Sequence, residues 1–186
     1  MKEIILASES PRRRQLLKEM GYDFSVIKSD YNEVAFTDNP IETVLTFSQK
    51  KAQSVFDKVQ NNDTVIIGCD TVVYFNGKIL GKPKDKNEAK KMLSSLSGNT
   101  HEVVSGFTII IGEKTISDYE ITKVVFNNLS EKEIDDYIST GKPLDKAGAY
   151  GIQDGFLVKE YFGSYTNIVG FPTEKIDKIL KEIQNG

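Results

Sequence analysis

Three consecutive arginines, Arg12-Arg13-Arg14, follow Ser8 and Ser10 just after a short apolar run, Ile4-Ile5-Leu6-Ala7. Ser10-Pro11 predicts a helix start, with the serine as N-cap and the proline at the first helical position. The arginines then fall where a helix dipole disfavours cations, by about 0.3–1 kcal/mol each at exposed sites. An anion resolves the conflict, because free backbone N–H groups and guanidinium forks can hold phosphate oxygens together. A solvated basic turn paired with Glu9 and other surface acids is the competing reading. Asp70 is the second candidate. It lies between apolar runs at 65–67 and 72–74, where a carboxylate without partners is costly to desolvate. At the end of a core strand such a group serves as metal ligand or general base; a turn aspartate accepting backbone N–H groups is the alternative. Between Lys78 and Lys91 six lysines face only Asp85 and Glu88. Among them Lys82, in Leu80-Gly81-Lys82-Pro83, has the least reason to be merely solubilising. Lys51 either lies on a wet helix face or points toward the same anion as Arg12.

Composition narrows the chemistry to carboxylates, lysines, arginines and a metal. The 186 residues carry 24 basic and 27 acidic side chains, a net charge of −3, with 39% hydrophobic residues. These are the proportions of an ordinary globular chain long enough for one domain or two small lobes. One cysteine, Cys69, excludes an internal disulfide and suits a reducing cytosol. One histidine, His101, excludes sites that need two, and its setting beside Thr100 and Glu102 favours a structural role. The charge balance argues against a nucleic-acid face. No apolar run approaches the ~20 residues of a membrane span, and Met1-Lys2-Glu3 reads as too acidic for a signal peptide.

The elements that must position these groups alternate through the first half. Strands are predicted at 4–7 and 24–27, with a helix between them closed by Gly21. Asn39-Pro40 starts a long helix through Val59. A strand at 65–68 runs into Asp70, and Asn76-Gly77 marks a hairpin. A helix carrying Ala89, Met92, Leu93 and Leu96 ends near Gly98. Strands follow at 101–111 and 115–126, then a capping box of Ser130 and Glu133 opens a helix through Ile138. Strands at 156–161 and 167–169 precede a last helix with Ile176, Ile179, Leu180 and Ile183. This order predicts an α/β fold with a mixed sheet flanked by helices. Neither a P-loop nor a G-x-G-x-x-G helix start occurs. By themselves these residues point to a phosphorylated small molecule, handled with or without a divalent metal.

The same residues match a known pattern in order along the whole chain. Leu6-Ala7-Ser8-Glu9-Ser10-Pro11-Arg12-Arg13 resembles the amino-terminal motif of the Maf family of nucleotide pyrophosphatases. Gly68-Cys69-Asp70-Thr71-Val72-Val73 resembles its central motif, with Cys69 where alanine is usual. Leu80-Gly81-Lys82-Pro83, Leu96-Ser97-Gly98, Asp145-Lys146-Ala147-Gly148-Ala149-Tyr150-Gly151-Ile152-Gln153 and Gly163-Ser164-Tyr165-Thr166-Asn167-Ile168-Val169-Gly170-Phe171-Pro172 are further matches. The resemblance implies one domain over residues 1–186, with two lobes around a central cleft as in inosine triphosphatase. It implies a cytoplasmic enzyme that hydrolyses a nucleoside triphosphate to the monophosphate and pyrophosphate with Mg²⁺ or Mn²⁺. A homodimer, and no nucleic-acid or membrane partner, are expected.

By the same resemblance Asp70 is the catalytic carboxylate, as base or metal anchor, and Glu33 shares the metal with it. Ser8 belongs to the substrate site, and Arg12, Arg13, Lys51 and Lys82 match phosphate-contacting positions. Arg12, Thr71 and Gln153 resemble the branch acting on dTTP and UTP; the branch acting on 7-methyl-GTP and a non-catalytic regulator of septum formation are the alternatives. Gln153 has a physical warrant of its own, since its amide offers donors and an acceptor to the edge of uracil or thymine.

Overall fold

A computed structural model describes residues 2–33 and 37–186. The strand Ile4–Leu6 (β1) leads through Ser8 into the helix Pro11–Glu19 (α1), whose N-cap Ser10 accepts from Arg13 N. The short strand Ser25–Val26 (β2) pairs parallel with β1. The long helix Pro40–Val59 (α2) starts where Asn39 Oδ1 accepts from Ile41 N and Glu42 N.

Val65–Phe75 (β3) is one continuous eleven-residue strand, so Asp70 is neither in a turn nor at a strand end. Its long antiparallel pairing with Thr100–Ile111 (β5), which sets Asp70 opposite Gly106, holds it straight past the aspartate. The hairpin to Lys78–Leu80 (β4) turns at Asn76 and Gly77, both with positive φ, as the Asn-Gly signal requires. Lys86–Leu96 (α3) precedes β5. Lys114–Phe126 (β6) and Val158–Phe162 (β7) continue the antiparallel sheet. Between them Glu131–Ser139 (α4) begins with the predicted Ser130–Glu133 capping box. Single 3-10 turns at Lys142–Asp145 and Ile152–Asp154 follow, with an irregular turn at Ala147–Ala149 between them in which Gly148 and Ala149 have positive φ.

The predicted strand at 167–169 is instead the end of a short helix, Tyr165–Val169 (α5). Ser164 Oγ accepts from Asn167 N, and Gly170, at φ 110°, closes the turn. Two apolar residues, Ile168 and Val169, are too few for their period to tell helix from strand. Thr173–Asn185 (α6) ends the fold.

Among the described residues the seven strands form one sheet in the order β2-β1-β3-β5-β6-β7, with β4 also against β3. Among the described residues the two largest apolar clusters sit at opposite ends of the long central strands. In one, Leu17 of α1 and Ile176 and Leu180 of α6 close over Ile67, Cys69 and Phe107. In the other, Leu93 of α3 and Ile134 and Ile138 of α4 close over Val103, Val124 and Phe126. The cleft lies between these two lobes.

One edge of β3 is interrupted. β1 pairs with residues 65–67 and β4 with residues 73–75, while β5 occupies the other edge throughout. Residues 68–72 therefore lie along an edge that carries no strand, and residues 70–72 of this stretch line the cleft.

Candidate functional site

Side chains alternate across a strand, so Gly68, Asp70 and the residues opposite them, Thr108 and Gly106, share one face. That face receives α2. A Cβ on Gly68 would lie 2.2 Å from Ser48 O, and one on Gly106 would lie 2.7 Å from Val44 O. The two glycines let the helix backbone rest on the sheet, which brings Lys51 over Asp70. The Lys51 ammonium donates to Asp70 Oδ1 at 2.7 Å and pairs with Glu33 Oε1 at 2.6 Å. Only 14% of the lysine side chain and 8% of the aspartate side chain are open to solvent.

Burial pushes the Asp70 carboxyl above the usual carboxylate range; the Lys51 ammonium opposes the shift and the Glu33 charge adds to it. Burial would also lower Lys51, but Asp70 and Glu33 outweigh it and hold the ammonium charged. Burial likewise pushes Glu33 up, yet Lys51, with Lys82 and Arg13 behind it, keeps this carboxyl below its ordinary value.

The opposite face of β3 and the unpaired edge are organised by Arg13. Its Nη1 donates to Cys69 O at 2.9 Å and to Ser8 Oγ at 3.2 Å. Its Nε donates to Gly170 O at 2.9 Å and its Nη2 to Thr71 Oγ1 at 3.2 Å. The guanidinium thus takes the place of a neighbouring strand for Cys69 and ties α1 to β3 and to the turn after α5. Thr71 Oγ1 also meets Ser105 Oγ at 2.8 Å. Ser8 does not line the cavity; its hydroxyl accepts from Ser10 N as well as from Arg13.

The cleft itself is lined by Arg12, Arg13, Glu33, Lys51, Asp70 and Lys82 on its charged side. Arg12 reaches across it: Nη1 donates to Asp145 Oδ2 at 2.9 Å and Nη2 to Asp145 O at 3.2 Å. Lys82, held beside Gly81, whose carbonyl accepts from Gly148 N, is exposed and makes no ion pair among the described residues. Thr71 and Gln153 also face the cavity, beside an apolar wall of Val73, Val103, Tyr150 and Ile168. Among the described residues nothing hydrogen-bonds the Gln153 amide. Arg14 is exposed and unpaired in the same sense. Glu9 pairs with Lys28 instead of the arginines.

Every sequence-selected residue except Ser8 therefore lines one cavity. Sequence reasoning did not assign roles to Asp145, Lys146 and Gly106. The first two stood inside a quoted motif, whereas Gly106 carried no local signal. Cys69 is buried, its thiol pushed up by burial, and His101 is a core residue whose Nε2 meets Tyr150 OH at 2.7 Å.

Among the described residues no group of three or more His, Cys, Asp or Glu side chains could hold a metal. Two carboxylates, Asp70 and Glu33, do converge on one cation, the Lys51 ammonium. A pair of hard oxygen donors suits Mg²⁺ or Mn²⁺, which bind through one or two carboxylates and take the remaining ligands from phosphates and water. Among the described residues, no helix is long and apolar enough to cross a membrane.

The family model described as "Maf-like protein" matches residues 3–183. A dTTP/UTP pyrophosphatase of Clostridium botulinum (strain Okra / Type B1) is 49% identical over 190 residues, covering 98% of each chain. The enzyme of the same name from Clostridium tetani is 49% identical over 185 residues, covering 96% of each chain. That of Bacillus anthracis is 43% identical over 98% of this chain and 96% of its own. Among solved structures, the Staphylococcus aureus Ham1 protein superposes with a TM-score of 0.56 at 15% identity, covering 97% of this chain and 99% of that one, a likeness of fold alone. A model match over nearly all residues and relatives this similar end to end place the chain in the Maf family.

Proposed function

We propose that this chain, acting as one domain over residues 1–186, is a pyrophosphatase that hydrolyses dTTP and UTP to the monophosphate and pyrophosphate. The observation that carries the reading is the buried Lys51–Asp70 pair opening onto a cleft lined by Arg12 and Lys82. The full-length relatives named dTTP/UTP pyrophosphatase support the substrate. Since nucleoside triphosphates are cytosolic, we place the activity in the cytoplasm.

In this mechanism Lys82, Arg12 and the first turn of α1 receive the triphosphate, neutralising charge that spreads over the phosphoryl oxygens. Lys51 holds Asp70 Oδ1, while no described residue hydrogen-bonds Oδ2 of this cleft-lining carboxylate. That oxygen orients water toward the anhydride and takes its proton as the α–β bond opens and pyrophosphate leaves. Asp70 and Glu33 would hold Mg²⁺ or Mn²⁺, which when bound supplies Lewis-acid neutralisation of the phosphates. Thr71 sets the cavity wall through Arg13 and Ser105. Gln153 meets the base edge, and a base that left this amide unpaired would be rejected. Ser8 fixes the loop at which the phosphates enter.

Pyrophosphate release from UTP, dTTP and 7-methyl-GTP with Mg²⁺ or Mn²⁺ tests the reading. UTP and dTTP are expected to turn over fastest, and Asp70→Asn to lose about 10²–10⁴-fold in kcat while still binding nucleotide. Undiminished turnover by Asp70→Asn would refute the catalytic assignment. Faster hydrolysis of 7-methyl-GTP would refute the base preference. Absence of any turnover would leave a nucleotide-binding regulator.

A further inference from the structure

We propose that Asp145 is a positioning residue for base selection, coupling the Arg12 guanidinium to the turn that carries Gln153. The inference rests on the reading of the cleft as a site for uracil and thymine nucleotides.

Arg12 gives both terminal nitrogens to one residue, the Asp145 carboxylate and its backbone carbonyl. A guanidinium forked in this way fixes orientation as well as distance. Asp145 Oδ1 accepts from Lys146 Nζ at 2.9 Å, and the same ammonium donates to Lys142 O at 2.6 Å. The Lys146 stem then lies against Gly151: a Cβ there would stand 2.9 Å from Lys146 Cε and 3.0 Å from Cδ. Gly151 opens the turn Ile152–Asp154, in which Gln153 faces the cavity. From the other side Tyr137 OH accepts from Gly151 N at 3.2 Å and donates to Asp154 Oδ2 at 2.7 Å.

The turn is thus held between Tyr137 and Lys146, and Lys146 is placed by Asp145, which is placed by Arg12. With no bond of its own to the described residues, the Gln153 amide takes its position from this turn. Arg12 stands at the start of α1, where the phosphates enter. The chain of contacts therefore sets the distance between the phosphate end and the base end of the cleft. Misplacing the amide costs recognition of the base edge, not the chemistry at Asp70.

The test is kcat/KM for UTP and for 7-methyl-GTP in the wild type, Arg12→Ala, Asp145→Ala, the double variant and Asp145→Glu. Any phosphate contact of Arg12 cancels in the ratio of the two substrates. Asp145→Ala is expected to lower the UTP to 7-methyl-GTP ratio about tenfold, chiefly through KM for UTP. Arg12→Ala should lower it equally, the double variant no further, and Asp145→Glu should recover most of it. A merely structural defect would slow both substrates alike and leave the ratio unchanged. A ratio unmoved in Asp145→Ala, or losses that multiply in the double variant, overturns the coupling. A wild type that prefers 7-methyl-GTP overturns the base reading, and the coupling with it.

Discussion

The Lys51 ammonium lies 2.7 Å from Asp70 Oδ1, with both side chains largely shut off from solvent. Their contact favours the charged form of the carboxylate against burial. Burial above all, and the Glu33 charge, push Asp70 up, while the Lys51 ammonium pulls it down. In the proposed mechanism turnover requires ionised Asp70, so activity is expected to fall as pH drops through its pKa. Lys51→Met removes the opposing charge and raises that pKa further. The acid limb of the kcat/KM profile is expected to move to higher pH. A limb that stays in place would show that another group titrates.

Arg13 spends its guanidinium on Ser8, Cys69, Thr71 and Gly170. Lysine keeps the charge but cannot serve acceptors in four directions. Charge-assisted hydrogen bonds contribute about 1.5–3 kcal/mol each, so Arg13→Lys is expected to cost about 3 kcal/mol of unfolding free energy, together with turnover. Urea unfolding gives the first number. An unchanged midpoint with raised KM would make Arg13 a phosphate ligand only.

Gly68→Ala places a methyl group 2.2 Å from the Ser48 carbonyl, a backbone atom that cannot swing aside. The helix must lift, and Lys51 lifts with it. A loss of about 3 kcal/mol, at the upper end of the usual overpacking range, is expected in thermal unfolding, with turnover reduced beyond what the remaining folded fraction explains. Gly77→Ala meets no atom within 4 Å, although its φ of 73° carries some strain, and should leave turnover intact.

His101 is buried and its pKa is lowered to about 4 by burial. Because the folded state resists protonation, the unfolded chain binds more protons between pH 6.5 and 4 and stability falls across that window as pH drops. The difference corresponds to about 3 kcal/mol. His101→Gln keeps a hydrogen-bonding amide for the Tyr150 hydroxyl and removes the titration. Its unfolding free energy should fall less than that of the wild type between pH 7 and 4; parallel curves would contradict the assignment.

What could be read from the chain was mostly local. The Asn76-Gly77 hairpin, the Ser10-Pro11 helix start and the Ser130–Glu133 capping box each depend on neighbouring residues and stand where expected. Arg13 shows the opposite case. As a member of a basic run it resembled a phosphate clamp, but Gly170, one of its acceptors, is 157 positions away. No spacing rule reaches that far. Lys51 could be read as part of a wet helix face because the glycines that admit α2 to the sheet lie far along the chain, on β3 and β5. The helix at Tyr165–Val169 was missed because a buried single turn and a short buried strand share the same few apolar residues. The selected residues other than Ser8 line one cavity and Ser8 bonds to Arg13 beside it, while which of them bond to one another emerged only from the fold.

The interrupted edge of β3 bears on association as well as on chemistry. An open strand edge is a template onto which a foreign strand can add. Here the free stretch at residues 68–72 is bounded by β1 at one end and β4 at the other, and the Cys69 carbonyl is already taken by a charged side chain. Five residues recessed between two strands and guarded by a guanidinium offer too little ladder for an intruding chain. The fold can therefore leave backbone and carboxylate open to a small polyanion without opening an edge to its own copies.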